Sequence, residues 1–155
     1  MDIEKHFTVS IFIVHENKVL LHRHMKYKKI LPVGGHIEAN ELPQETCVRE
    51  AKEETGLDIE LYNPDKNSEM EGVMGLSAEE LLIKPMHMIL CKIKTDHYHI
   101  DLDYYASAET YDVNPGNGES TELYWYTKEE LEQVEEAPEG VIAMAKEALD
   151  ILGTK

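Results

Sequence analysis

Residues 35–57 read GHIEANELPQETCVREAKEETGL, and the arrangement of the chain follows from this stretch. Residues 42–55 predict a helix, with Pro43 tolerated in its first turn and Gly56 just past its end as a stop signal. Glu50, Glu53 and Glu54 stand at i, i+3 and i+4. At that spacing the three carboxylates span about 100° of arc and project from one face. Val48, Ala51 and Thr55 are expected on the opposite side as the packing stripe. Like charges so placed repel by a few tenths of a kcal/mol per pair, and a hard cation such as Mg²⁺ or Mn²⁺ turns that repulsion into coordination. A solvated acidic face would carry the same three glutamates, so the helix alone leaves both readings open.

Working outward, the flanking segments alternate between strand and turn patterns. Residues 7–14 are β-branched and aromatic, and residues 18–25 follow the polar turn at 15–17, which predicts a hairpin. A basic stretch at 26–29 leads into Leu31-Pro32-Val33-Gly34-Gly35, read as a tight, backbone-exposed loop. Residues 57–61 alternate as a half-buried strand. Residues 63–84 are polar and read as a connection holding one short helical turn at 78–82. Strands are expected at 86–93, 97–106 and 123–126, a strong turn at 114–118, and helices at 128–134 and 140–152. Strands on both sides of a central helix, with a closing helix, predict an α+β fold: a mixed sheet packed between helices, in one domain over residues 1–155.

The chain has 155 residues and a formal net charge of −16, which speaks against general nucleic-acid binding. The charge is uneven. Residues 1–37 carry six Lys/Arg and three Asp/Glu, a net of +3, and the remainder nets −19. An anionic small molecule held between basic side chains and carboxylate-bound cations would need that arrangement. No apolar run is long enough to span a bilayer, and the amino terminus lacks a signal pattern, so a cytoplasmic protein without a membrane partner is expected. Cys47 and Cys91, far apart in sequence, read as free thiols.

The glutamates belong to a longer pattern, G-x5-E-x7-R-E-U-x-E-E-x-G-U with U apolar. It is filled here by Gly35, Glu41, Arg49, Glu50, Ala51, Glu53, Glu54, Gly56 and Leu57. This resembles the Nudix box, and the chain is similar to MutT-like Nudix hydrolases. The resemblance implies an α/β/α sandwich and metal-dependent hydrolysis of a nucleoside diphosphate derivative. Mg²⁺ or Mn²⁺ would be held by Glu50, Glu53 and Glu54, with the Gly35 carbonyl a further ligand. It also implies that Arg49 orients the carboxylates, through Glu41. Arginine cannot ligate a cation, but its planar fork can fix a carboxylate. A further acid often precedes a Trp-containing strand in this family, and Glu119, upstream of Trp125, is the candidate general base or additional metal ligand; Asp101 and Asp103 compete for that role.

Arg23, Lys26 and Lys28, with His24 and Lys29, are candidates to meet the substrate phosphates. His97 and His99 alternate with Asp101 and Asp103 on one polar strand face and could bind a transition metal, but the sequence offers no third ligand nearby. His36, inside the box at a variable position, reads as a neighbour of the chemistry. Cys47, Trp125 and the seven methionines read as packing. A non-catalytic nucleotide-binding Nudix domain is disfavoured because every box carboxylate is present. An isoprenoid diphosphate isomerase would want a cysteine upstream of the box, and none precedes Cys47. Residues 71–76 lack the Pro that accompanies ADP-ribose specificity and the Tyr of dinucleoside polyphosphate enzymes. The compact length favours a (deoxy)nucleoside triphosphate, with ADP-ribose, nucleotide-sugar or dinucleotide substrates as alternatives. Dimerisation is common in the family, so the resemblance allows a homodimer.

Overall fold

The computed structural model describes residues 2–70 and 80–154. The organising element is a twelve-residue strand, β1 (Glu4–His15), which turns at Glu16 and Asn17 into β2 (Lys18–Arg23). Strands β3 (Ile30–Leu31) and β4 (Val33–His36) precede helix α1 (Pro43–Thr55). Strands β5 (Ile59–Leu61), β6 (His87–Lys94), β7 (His97–Ala108) and β8 (Leu123–Thr127) follow, then helices α2 (Lys128–Leu131) and α3 (Glu139–Leu152). β1 pairs parallel with β7 along one edge. Its other edge is shared between β4, at residues 8–11, and β2, at residues 13–15, both antiparallel. β5 and β6 pair with β7, and β3 and β8 with β2, giving one mixed sheet.

Alternation along β1 builds two cores. Val9, Ile11 and Ile13 point to one face and pack with Cys47 and Ala51 of α1 and with Leu57. Phe12 and Val14 point to the other and pack with Val141, Ala145, Ala148 and Leu149 of α3. Helices therefore cover both faces, the expected α+β sandwich around a mixed sheet. No helix among the described residues is long and apolar enough to cross a membrane.

Four local expectations are corrected. Residues 31–35 are not a loop, because Val33–His36 joins the sheet as β4. The glycines there serve close approach: a Cβ on Gly34 would stand 2.0 Å from the Val9 carbonyl oxygen. Val48 is not in the packing stripe. It is 47% exposed, and the buried side of α1 is Thr46, Cys47, Ala51 and Thr55. Among the described methionines only part of the expected core packing is found: Met86 and Met144 are half-buried against the core, and Met25, Met70 and Met88 are exposed. The second strand stops at Arg23 because the chain turns back, with Lys28 N–H donating to the His24 carbonyl (2.8 Å) and Lys28 at φ 57°. The short helix expected at 78–82 lies partly outside the described residues, and residues 80–85 are not helical.

Candidate active site

Glu45 caps α1 by accepting a hydrogen bond from Leu42 N–H (2.8 Å). The helix ends at Gly56, whose left-handed φ of 77° lets its N–H reach the Lys52 carbonyl (2.9 Å). A Cβ at Gly56 would lie 2.6 Å from the Asn114 carbonyl, because the loop after β7 docks against this helix end. Asn114 N–H donates to the Thr55 carbonyl (2.7 Å) and Gly116 N–H to the Glu53 carbonyl (2.8 Å). Carbonyls that the last helical turn leaves unpaired are satisfied by the loop that carries Glu119.

The burial of the three glutamates follows their angle around the helix. Glu54 lies nearest the buried stripe, Glu50 next, and Glu53 is half-exposed. One Glu54 oxygen accepts from Gly34 N–H (2.8 Å), so β4 and α1 meet through this carboxylate. Burial, and then the Glu50 carboxylate beside it, push the Glu54 pKa up to about 9, against the opposing Gly34 hydrogen bond. Glu50 is also raised, chiefly by burial, with Arg49 working the other way. Glu119 adds to both shifts, which brings its charge within electrostatic reach of the pair.

Arg49 joins this group from the front. Its Nε and Nη2 grip both oxygens of Glu41 (2.7 and 2.9 Å), Nη1 donates to Glu50 (3.0 Å) and Glu53 (3.3 Å), and Nη2 to the His36 carbonyl (3.3 Å). Glu41 also accepts from Glu38 N–H and the Thr46 hydroxyl. The Arg49 bonds come first among the causes that hold its carboxyl down at about 2. The Arg49–Glu41 fork thus sets the angle at which the guanidinium meets the other two carboxylates.

Burial and mutual repulsion disfavour charge on Glu54 and Glu50, and a divalent cation between them would relieve both. Glu50 and Glu54 supply hard oxygen donors, Glu53 adds a third from the exposed side, and the chemistry of this donor set is that of Mg²⁺ or Mn²⁺. Gly35 faces the same group: a Cβ on it would stand 2.3 Å from a Glu50 oxygen. A cavity of about 490 Å³ opens beside the start of α1, lined by His6, Phe7, His36, Ile37, Pro43 and Leu102.

The structure therefore gathers Gly35, Glu41, Arg49, Glu50, Glu53, Glu54 and Glu119. It does not bring Arg23 to them. The Arg23 guanidinium bonds Glu136 (2.6 Å) and the Lys28 carbonyl (2.8 Å) on the α2 side. Lys28 is exposed in the turn after β2; burial lowers the His24 and His36 pKa values, and the Lys26 charge adds to both. Asp101 and Asp103 lie on the sheet face opposite α1, on the side of Thr8 and Ser10, whose hydroxyls donate to Asp101 (2.6 and 2.7 Å). Asp103 is 1% exposed, and burial followed by the Asp101 charge keeps it protonated. Burial likewise pushes the Cys47 thiol up, in keeping with a packing role.

The expectation that His97 and His99 lack a third ligand is overturned. Parallel pairing of β1 with β7 sets His6 beside His99 and Glu4 beside His97, and β4 adds His36. The signal in the sequence was the matched alternation of Glu4 and His6 with His97 and His99; what it lacked was the pairing that joins segments some 90 residues apart.

The family model described as NUDIX domain matches residues 4–146. A crystal structure of a hydrolase of the NUDIX family from Clostridium perfringens is 52% identical, with a TM-score of 0.88 over 97% of this chain and 99% of that one. The MutT protein from Methanosarcina mazei Go1 shares 18% identity at a TM-score of 0.69, covering 97% and 96%. A MutT NUDIX hydrolase from Burkholderia pseudomallei shares 14% at 0.66, covering 96% and 98%. These last two show a common fold. No curated protein matches the chain.

Proposed function

The chain belongs to the NUDIX domain family and is a Nudix-type pyrophosphohydrolase of nucleotide derivatives, and from that premise we propose that its substrate is a (deoxy)nucleoside triphosphate. The observation that carries the site assignment is the joint between β4 and α1, where Glu54, Glu50 and Glu53 converge with Arg49 across from Gly35. In this reading Glu50, Glu53, Glu54 and the Gly35 carbonyl would hold Mg²⁺ or Mn²⁺, which supplies polarisation of a phosphoryl oxygen and a lowered pKa for the attacking water. Arg49 is a positioning residue: it fixes Glu50 and Glu53 through its own anchorage on Glu41. Glu119 takes the proton as water attacks phosphorus and the anhydride P–O bond breaks, a role supported by its coupling to Glu50 and Glu54.

The triphosphate class is supported by the sequence of residues 71–76, which carries neither the Pro nor the Tyr of the alternative substrate classes and lies outside the described residues. The cavity beside α1 has the size of a small-molecule site, and Phe7, Ile37 and Leu102 offer the nucleoside an apolar wall. Lys26 and Lys28 are the candidate phosphate contacts, while Arg23 is engaged by Glu136. A cytoplasmic location is part of this reading, supported by the free thiols of Cys47 and Cys91. Homodimerisation is tested by the mass of the protein in solution. The substrate test is a panel of nucleoside and deoxynucleoside triphosphates, their oxidised forms, ADP-ribose, nucleotide sugars and dinucleoside polyphosphates, assayed with Mg²⁺ or Mn²⁺. The highest kcat/KM should fall on a triphosphate; a preference for any other member refutes the substrate class and leaves the family assignment intact.

A further inference from the structure

The face of the sheet opposite α1 carries a second group of ligating side chains that shares none with the carboxylate cluster, although its His6, like the neighbouring His36, also lines the cavity beside α1. The in-register parallel pairing of β1 and β7 aligns Glu4 with His97 and His6 with His99. A Glu4 oxygen lies 3.5 Å from His6 Nε2 and 3.6 Å from His97 Nδ1. One donor atom from each of the three falls within 4.8 Å of the others. A tetrahedral ion with bonds of about 2.0–2.1 Å holds neighbouring donors about 3.3–3.4 Å apart, so the two sides that meet at Glu4 need to close by only a few tenths of an ångström, and the His6–His97 side starts within 4.8 Å.

The second nitrogen of His97 is also accounted for. His97 Nε2 lies 3.3 Å from His99 Nε2, so a ring that ligates through Nδ1 can donate its other N–H to His99. A ligating histidine characteristically has such a partner, which fixes its tautomer and orientation. His36 stacks edge-on against His99, with ring centroids 4.9 Å apart, and walls the group on the β4 side. Glu4 and His6 are the more exposed donors, with side chains 67% and 44% accessible, while that of His97 is 18% accessible, so an ion can enter from solvent and keep a water in its fourth position.

We propose that Glu4, His6 and His97 form a binding site for a transition-metal ion of the Zn²⁺ type, oriented by His99. Two imidazoles and one carboxylate select such an ion over Mg²⁺, which favours an all-oxygen shell. Since the ligands come from the starts of β1 and β7, the ion clamps the longest strand pair and stabilises the folded chain by mass action.

The test is calorimetric titration of Zn²⁺ into the full chain in a large excess of Mg²⁺, which fills the oxygen cluster without competing for imidazole. One Zn²⁺ per chain is expected, together with a thermal midpoint that rises with Zn²⁺ concentration. His97→Ala should weaken Zn²⁺ binding by about tenfold or more, and Glu54→Gln should leave it unchanged. Should His97→Ala not fold, His6→Gln, at a half-exposed ring, carries the same comparison. The proposal is overturned by absence of Zn²⁺ binding in excess Mg²⁺, by binding that survives His6→Gln at full strength, or by binding lost in Glu54→Gln.

Discussion

Gly34 and Gly35 are neighbours on β4, yet a methyl group on each should fail for a different reason. A Cβ on Gly34 would meet the Val9 carbonyl oxygen at 2.0 Å and its carbon at 2.9 Å, both backbone atoms of the central strand. Nothing there can turn aside, so Gly34→Ala must spread β4 from β1 and should cost more than the roughly 1–3 kcal/mol of ordinary overpacking. A Cβ on Gly35 would instead meet the Glu50 carboxylate, at 2.3 Å from one oxygen. Ordinary contact begins at 3.4 Å, so that oxygen has to retreat by about 1.1 Å. The side chain can move, so the fold survives. Glu50 is held by Arg49 at 3.0 Å, however, and its retreat pulls it out of register with Glu53 and Glu54. A misplacement of about 1 Å in a reacting geometry costs on the order of 100-fold in rate. Gly35→Ala should therefore keep a thermal midpoint near that of the parent and lose about two orders of magnitude in kcat for metal-dependent nucleotide hydrolysis, whereas Gly34→Ala should lose the midpoint itself. Full activity in a folded Gly35→Ala, or a fully stable Gly34→Ala, would refute the reasoning.

Two further outcomes follow from the same contacts. Arg49→Lys keeps the positive charge but cannot form the two-pronged bond to Glu41 while reaching Glu50 and Glu53; kcat should fall by about 10- to 100-fold with KM little changed, measured by steady-state kinetics. His22 is 4% exposed, and burial, with His24 adding to it, pushes its pKa down to about 4 from 6.5. The unfolded chain binds this proton at the higher pH, so stability is complete above about pH 6.5 and falls as the pH drops towards 4. The loss should reach about 3 kcal/mol. Urea unfolding across that window should show the decline, and His22→Phe should flatten it.

The parts of this molecule that were legible in its sequence are those fixed by local chemistry. Pro43 and Gly56 bracket α1 because one tolerates a first turn and the other a left-handed stop. The spacing of Glu50, Glu53 and Glu54 carries their common face, and the box ties Arg49 to Glu41 across eight residues. What was not legible depends on partners far along the chain. Gly34 and Gly35 look like loop formers until β1 is laid beside them, when their missing side chains become what lets the strand and helix approach. Val48 looks apolar enough for the core, yet the helix turns Cys47 and Thr46 inward instead. Arg23 looks available for phosphate until Glu136, 113 residues later, takes it. The histidines are the clearest case, since only the parallel register of β1 on β7 turns two isolated pairs into one group.

The central claim is that the carboxylates at the β4–α1 joint hold the metal on which hydrolysis depends. Turnover of whichever nucleotide of the substrate panel is hydrolysed fastest, with and without Mg²⁺, in the parent chain and in Glu54→Gln, decides it. Glutamine keeps the shape and can accept the Gly34 hydrogen bond, so the fold should remain. Turnover in the parent should depend on Mg²⁺, and the variant should lose several orders of magnitude. Turnover without Mg²⁺, or a Glu54→Gln chain as active as the parent, would contradict it.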